Sequence, residues 1–302
     1  MEPAGFNCCK IIEREGERYR YMASDKQIFL MKRPLQWSHL TSGLPIPRVF
    51  QELTYDILGK KLKAQDSAEV RVMFGGEVFS VKIYNINFNR GKFDHTEILQ
   101  FKYDNNRPLL NKLQDVFSKE YRYCLEAREA RQEGDTSRVD ISKHFNTNLI
   151  VYGTSEPDLF IWEPEFESLS KELEAEIKQM TEEEFETVIV RTDPHATIKE
   201  KQKLVKIRQL DASIGDSLKR VYGYCCQMTG EHIGEQYGIN AVEAHHIRPF
   251  TESLDNDTSN IMILSPNYHR IIHKANPHFN RKTLSFEFSN GLIEKVKLNR
   301  HL

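Results

Sequence analysis

His245, His246, Asn260, His269 and His273 have the types and spacing that metal-assisted phosphodiester hydrolysis would use. In that chemistry a divalent ion sits on the scissile phosphate, neutralises charge and holds the leaving oxygen. A separate base with a pKa near the working pH takes a proton from water, and histidine suits that task best. A further group must fix the angle of the base. His269 and His273 fall four residues apart in a run, Pro266 to Lys274, that begins after Ser265-Pro266, a good helix opening. On a helix that spacing puts both imidazoles on one face, able to grip a single ion. Adjacent residues of a strand point to opposite sides. If Val242-Glu243-Ala244-His245-His246 is a strand, one histidine of the doublet can face the metal while its neighbour faces water and substrate.

The elements needed to position these groups are thus a strand, a loop, a second strand around Asn260–Leu264, and a helix. The arrangement resembles the HNH, or ββα-metal, nuclease family. Its signature is a histidine pair or Asp-His, an asparagine in the following loop or strand, and a histidine on the helix. His246, Asn260 and His273 fall on those three letters, and the spacing from Asn260 to His269 and His273 is similar to that of the colicin-nuclease branch. The resemblance implies that His246 is the general base and that His245, His269 and His273 are the metal ligands. It implies that Asn260 braces the loop and orients His246, and that Arg248 and Arg270 contact phosphate. One divalent ion per active site follows, magnesium first, with manganese, nickel or zinc also suited to such a site.

The segment Tyr222-Gly223-Tyr224-Cys225-Cys226-Gln227-Met228-Thr229-Gly230 is similar to the opening of many bacterial HNH domains. The chain departs from the larger zinc-bearing branch. Where those proteins have CxxC before the helix histidine, it has Ser265-Pro266-Asn267-Tyr268. No structural zinc is expected, Cys225 and Cys226 read as core residues, and packing must hold the domain. A hairpin of Thr283–Phe288 and Leu292–Leu298 around Asn290-Gly291 can contribute to it.

Upstream, residues 198–302 begin with a helix of about Ile198–Tyr222, whose Leu204, Ile207, Leu210, Ile214, Leu218 and Val221 recur at helical spacing. Residues 163–197 read as an acidic helical connector, with a short strand at Thr187–Arg191. Residues 1–162 read as a β-rich target-recognition or sensor domain. Tyr19–Met22 and Gln27–Met31 resemble a hairpin, and Glu69–Phe74 and Val78–Tyr84 flank a strong Gly75-Gly76 hairpin signal. Ile98–Tyr103 is a strand candidate, Asn106-Arg107-Pro108 opens a helix to about Arg131, and Asn148–Tyr152 and Asp158–Trp162 are two more strands. The expected fold class is α+β: a mixed β-rich N-terminal domain followed by a C-terminal ββα-metal domain.

At 302 residues the chain has room for two such domains, and 39% hydrophobic and 28% charged residues fit a soluble protein. No apolar run reaches membrane-spanning length, and MEPAGFNCCK lacks the pattern of a secretory signal, so a cytoplasmic location is expected. Five cysteines without a CxxC argue for reduced thiols. The net charge of −2 combines an acidic stretch, Glu163 to Glu186, with a basic one from Lys199 to Arg220.

An HNH module grips backbone and phosphate, so target choice falls to the first domain. Trp37, Tyr84, Asn85, Asn87, Phe88, Asn89, Arg90 and Lys92 are candidates for reading base edges. The order of domains resembles bacterial restriction endonucleases, which implies a DNA endonuclease of antiviral defence acting on double-stranded DNA. A signal-activated effector that degrades DNA indiscriminately is the alternative. One site makes one strand cut, so duplex cleavage calls for a homodimer or for sequential nicking.

Overall fold

The computed structural model describes residues 9–14, 17–22, 27–87, 97–132, 135, 137, 139–166, 171–181, 184–185 and 198–302. The strand expected at Thr187–Arg191 lies outside them, as do Phe88, Asn89, Arg90 and Lys92. The chain is α+β and divides into two units, Met1–Ser168 and Leu169–Leu302. Among the described residues no helix is long and apolar enough to cross a membrane.

In the first unit, strands β3 (Ile28–Pro34), β4 (Gly43–Pro45), β5 (Ser67–Phe74), β6 (Glu77–Asn87), β7 (Glu97–Lys102), β8 (Asn148–Gly153) and β9 (Leu159–Glu165) form one sheet in the order β3-β8-β9-β5-β6-β7-β4. Only β5 and β9 run parallel. The period-2 pattern of β5 and β6 decides their faces. Ala68, Val70, Val72, Phe74, Phe79, Val81 and Ile83 are buried, while Glu69, Arg71 and Lys82 alternate with them into solvent. Gly75 and Gly76 take φ of 57° and 82°, the left-handed pair that a two-residue hairpin needs between Phe74 and Glu77.

Two expectations change here. Glu17–Met22 (β2) pairs with Cys9–Arg14 (β1), not with the strand after it, and β3 pairs instead with β8. β3 thereby stands at one end of the large sheet. The long helix expected after Asn106 is two helices, Arg107–Val116 (α3) and Ser118–Glu129 (α4), which follow α1 (Trp37–Thr41) and α2 (Gln51–Leu58). Phe117 leaves helical geometry at φ −105°, ψ 40°, and its ring packs on Phe74. Asn106 caps α3 by accepting from Leu109 N at 3.0 Å, as its position before Pro108 suggests.

In the second unit, α5 (Lys171–Gln179) lies in the acidic stretch, and its Leu173 and Ile177 are buried with Phe185 and Phe250. α6 (Ile198–Val221) is the long amphipathic helix expected. β10 (Glu243–His246) pairs antiparallel with β11 (Ile261–Leu264), with α7 (Phe250–Ser253) between them and α8 (Pro266–Ala275) after them. A three-stranded sheet of β12 (His278–Asn280), β13 (Ser285–Glu287) and β14 (Ile293–Lys295) closes the unit. The expected terminal hairpin is present as β13 and β14, and β12 adds a third strand.

Cys226, Met228, Met262, Leu264, Ile272, Phe279 and Phe286 form the core beneath this sheet. Buried Gln227 locks β11 to the last residues. Its Oε1 accepts from Ile263 N at 2.7 Å and its Nε2 donates to Leu298 O at 3.0 Å.

Candidate metal centre

The alternation of β10 separates two environments. Glu243 and His245 share one side of the strand, Ala244 and His246 the other. α8 supplies the partners of the first side. Ser265 caps it by accepting from Tyr268 N, and Pro266 occupies the first helical position, so the helix starts where His269 and His273 fall one turn apart on one face.

His245, His269 and His273 each offer a ring nitrogen, and the three nitrogens lie within 4.8 Å of one another. The ring centroids are 5.0 Å apart for His245 and His269, 4.8 Å for His245 and His273, and 4.6 Å for His269 and His273. Nε2 of His273 faces Nε2 of His269 at 2.9 Å. On the far side of the His269 ring, Nδ1–H donates to Glu243 Oε2 at 2.6 Å. A carboxylate accepts only, so this bond assigns the hydrogen to Nδ1 and turns the lone pair of Nε2 toward the other imidazoles.

His245 is 6% exposed, and its Nδ1 is buried without a hydrogen-bond partner. Its pKa is pushed well below the ordinary histidine value, first by burial and then by His269, His273 and His246. The imidazole is therefore neutral, the form that binds metals.

His246, on the opposite side of β10, is also 6% exposed. Its Nε2 lies 2.9 Å from Asp211 Oδ1 on α6. That approach depends on a glycine. A Cβ placed on Gly215 would lie 2.8 Å from the Ala244 Cβ, so only glycine lets α6 come this close to β10. Asp211 is one turn before Gly215 and His246 two residues after Ala244, which puts the two side chains together.

Asn260 is fully buried. Its Oδ1 accepts from Arg248 N at 3.0 Å, and its Nδ2 donates to Arg248 O at 2.9 Å and Asp255 O at 3.1 Å. It therefore braces the loop that leaves β10, and its bonds go to backbone. Arg248 and Arg270 are both exposed.

Among the described residues, the base-reading candidates of the first unit, Trp37, Tyr84, Asn85 and Asn87, differ in their surroundings. Asn85 is 1% exposed, on the core face of β6 with Val81 and Ile83, and its Nδ2 donates to Leu62 O and Glu97 Oε2. A side chain committed inside the fold cannot read a base edge. Trp37, on α1, stacks on Tyr121 at 5.7 Å with the Arg128 guanidinium 4.6 Å from its ring centroid. Tyr84 carries the Lys102 amine over its ring, and Asn87 is exposed at the end of β6.

Two residues were missed in the sequence. Glu243 was within reach of inference, since a residue two before His245 on a strand shares its side. Asp211 left a weaker signal: it is a carboxylate on the apolar stripe that runs through Ile207, Ile214 and Leu218.

Comparison of the chain with protein-family models, with curated proteins and with solved structures gives no match.

Proposed function

We propose that this chain is a divalent-metal-dependent endonuclease of the HNH, or ββα-metal, class that hydrolyses phosphodiester bonds in double-stranded DNA. One observation carries the reading: three imidazoles converge from a strand and a helix while a fourth, next in sequence, sits on the other side of that strand. Two further features fit a metal in the triad. A buried, unpaired nitrogen on His245 costs about 1–3 kcal/mol unless something binds it. The Glu243–His269 bond is the carboxylate–histidine contact that orients metal-ligating imidazoles.

On this reading His245, His269 and His273 hold the ion, and all-imidazole donors suit zinc or nickel better than magnesium or manganese, which prefer oxygen. When bound, the ion supplies charge neutralisation at the scissile phosphate and at the leaving oxygen. His246 accepts the proton of the attacking water. Asn260 keeps the loop after β10 in place through the Arg248 backbone, and the exposed Arg248 and Arg270 side chains are the candidates for phosphate contact. Choice of target falls to the first unit, by residues other than Asn85.

Incubating the full chain with supercoiled plasmid and Zn2+, Ni2+, Mn2+ or Mg2+ in turn tests the reading. Metal-dependent conversion to nicked and linear DNA is the expected result. Intact plasmid under every ion would contradict it. Discrete fragments on longer DNA favour a restriction role, and a smear favours an indiscriminate effector.

A further inference from the structure

A guanidinium on the turn between β12 and β13 reaches the loop that Asn260 braces. We propose that Arg281 is a further phosphate-contact residue, gripping the backbone of duplex DNA at one end of the β10–β11 pair. The choice of duplex DNA as its partner rests on the nuclease reading; the placement of its guanidinium does not.

Both ends of Arg281 are held. Asn280 and Ser285 are register partners across β12 and β13, so Arg281 opens the turn between them. Asn280 Oδ1 accepts from Lys282 N at 3.0 Å and from Thr283 N at 3.3 Å, which fixes the backbone of that turn. At the far end of the side chain, Nη1 donates to Ser259 O at 3.0 Å. Ser259 adjoins Asn260, whose side chain grips Arg248 N and O and whose carbonyl accepts from Ile247 N at 2.8 Å. His246 pairs with Ile261 just beyond. The Arg281 guanidinium therefore stands at the same end of the β10–β11 pair as Arg248.

A guanidinium has five N–H donors, and the Ser259 carbonyl takes one of them. Arg281 is exposed, and among the described residues no carboxylate pairs with it. The carboxylates flanking these two turns are tied elsewhere. Asp257 Oδ1 accepts from Ser259 N at 2.8 Å, and Glu287 Oε1 accepts from Asn280 Nδ2 at 2.9 Å. Arg71 and Arg208 differ, since Glu156 with Asp158 and Asp211 balance their charges within the fold. Arg281 keeps a full positive charge on a side chain already ordered by a neutral carbonyl. Such a group loses little freedom when a phosphate arrives and can meet it with a fork of N–H groups. Two guanidiniums set at one braced loop suit neighbouring backbone phosphates, a grip that positions the duplex without reading its sequence.

The test is the affinity of the metal-free full chain for a short fluorescent DNA duplex, titrated from about 50 to 200 mM salt. Each phosphate contact adds about 0.9 to the slope of log affinity against log salt. Arg281→Gln should flatten that slope by about one and weaken binding roughly three- to tenfold, with the loss in cleavage falling on KM. Arg281→Lys keeps the charge and should keep the wild-type slope. Ni2+ affinity and melting temperature should match the wild type in both variants. An unchanged slope in Arg281→Gln would overturn the proposal, and so would equal flattening in Arg281→Lys. A second measurement does not need the glutamine variant to fold. The Arg281 side-chain N–H signals of the 15N-labelled wild type, assigned by comparison with Arg281→Lys, should shift when duplex is added. Signals that stay in place would overturn the proposal. A slope that flattens as expected while no ion supports cleavage would end the nuclease reading and uphold Arg281 as a phosphate contact. A wild-type chain without affinity for duplex would overturn both.

Discussion

His39 in the first unit and His245 in the second are both buried imidazoles, and both are kept neutral. The causes differ. Burial lowers the pKa of His39 to about 3, with the Arg33 charge adding to it. For His245 burial is joined by three other histidines. His39 Nδ1 accepts from Gln36 N at 3.2 Å and helps start α1, and its backbone carbonyl accepts from Tyr103 OH at 2.8 Å. Its Nε2, like Nδ1 of His245, is buried without a hydrogen-bond partner. An unpaired nitrogen is therefore not what distinguishes a candidate ligand. Company is: among the described residues the triad of His245, His269 and His273 is the only set of three or more ligand-type side chains brought within reach of one ion.

The contrast can be broken in order of effect on DNA cleavage. His246→Ala should reduce cleavage by about 10²- to 10⁴-fold, the range of a general base, with DNA binding by gel shift nearly unchanged. A near wild-type rate would remove His246 from that role. His273→Ala should weaken metal affinity by about a hundredfold or more, since even second-sphere partners are worth about 10–100-fold. Saturating metal would then restore only part of the rate.

Gly215→Ala sharpens the comparison from the backbone side. Alanine in a helix interior normally stabilises by roughly 0.5–1 kcal/mol. Here its Cβ meets Ala244, and we expect a net destabilisation of about 1–3 kcal/mol with cleavage down at least about tenfold as α6 moves Asp211 off His246. A more stable, fully active variant would show that the close approach is not needed.

His39→Gln should leave cleavage and metal affinity unchanged. Its signature lies in stability against pH. Between the ordinary histidine value of 6.5 and about 3 the unfolded chain binds a proton that folded His39 refuses, so stability is lost as pH falls through that window. The loss is about 1.4 kcal/mol per pH unit. Denaturant unfolding from pH 7 to 4 should show that slope in the wild type and a shallower one in the variant.

The site was more legible in the sequence than the first unit because both of its periods are short-range. Spacing by four on a helix pairs His269 with His273, and alternation on a strand parts His245 from His246, without knowledge of distant contacts. The choice of His245 as the ligand is what the family resemblance implies. Asp211 escaped because its partner arrives through tertiary packing of α6 on β10, which a one-dimensional pattern does not contain. In the first unit Gly75-Gly76 announced its hairpin, while the pairing of β3 with β8 joins segments remote in sequence. The break at Phe117 was hidden by an apolar pattern that continues through it. Asn85 was misjudged although the signal was present: it keeps the alternation of Phe79, Val81 and Ile83, which places it inside.

The most direct test of convergence is calorimetric titration of the metal-free full chain with Ni2+, alongside His245→Ala. The wild type should bind one ion per chain tightly, and the variant should lose that site while its unfolding temperature shows it still folded. Undiminished binding of the same ion by the folded variant, or no tight binding by the wild type, would contradict the triad as a metal centre.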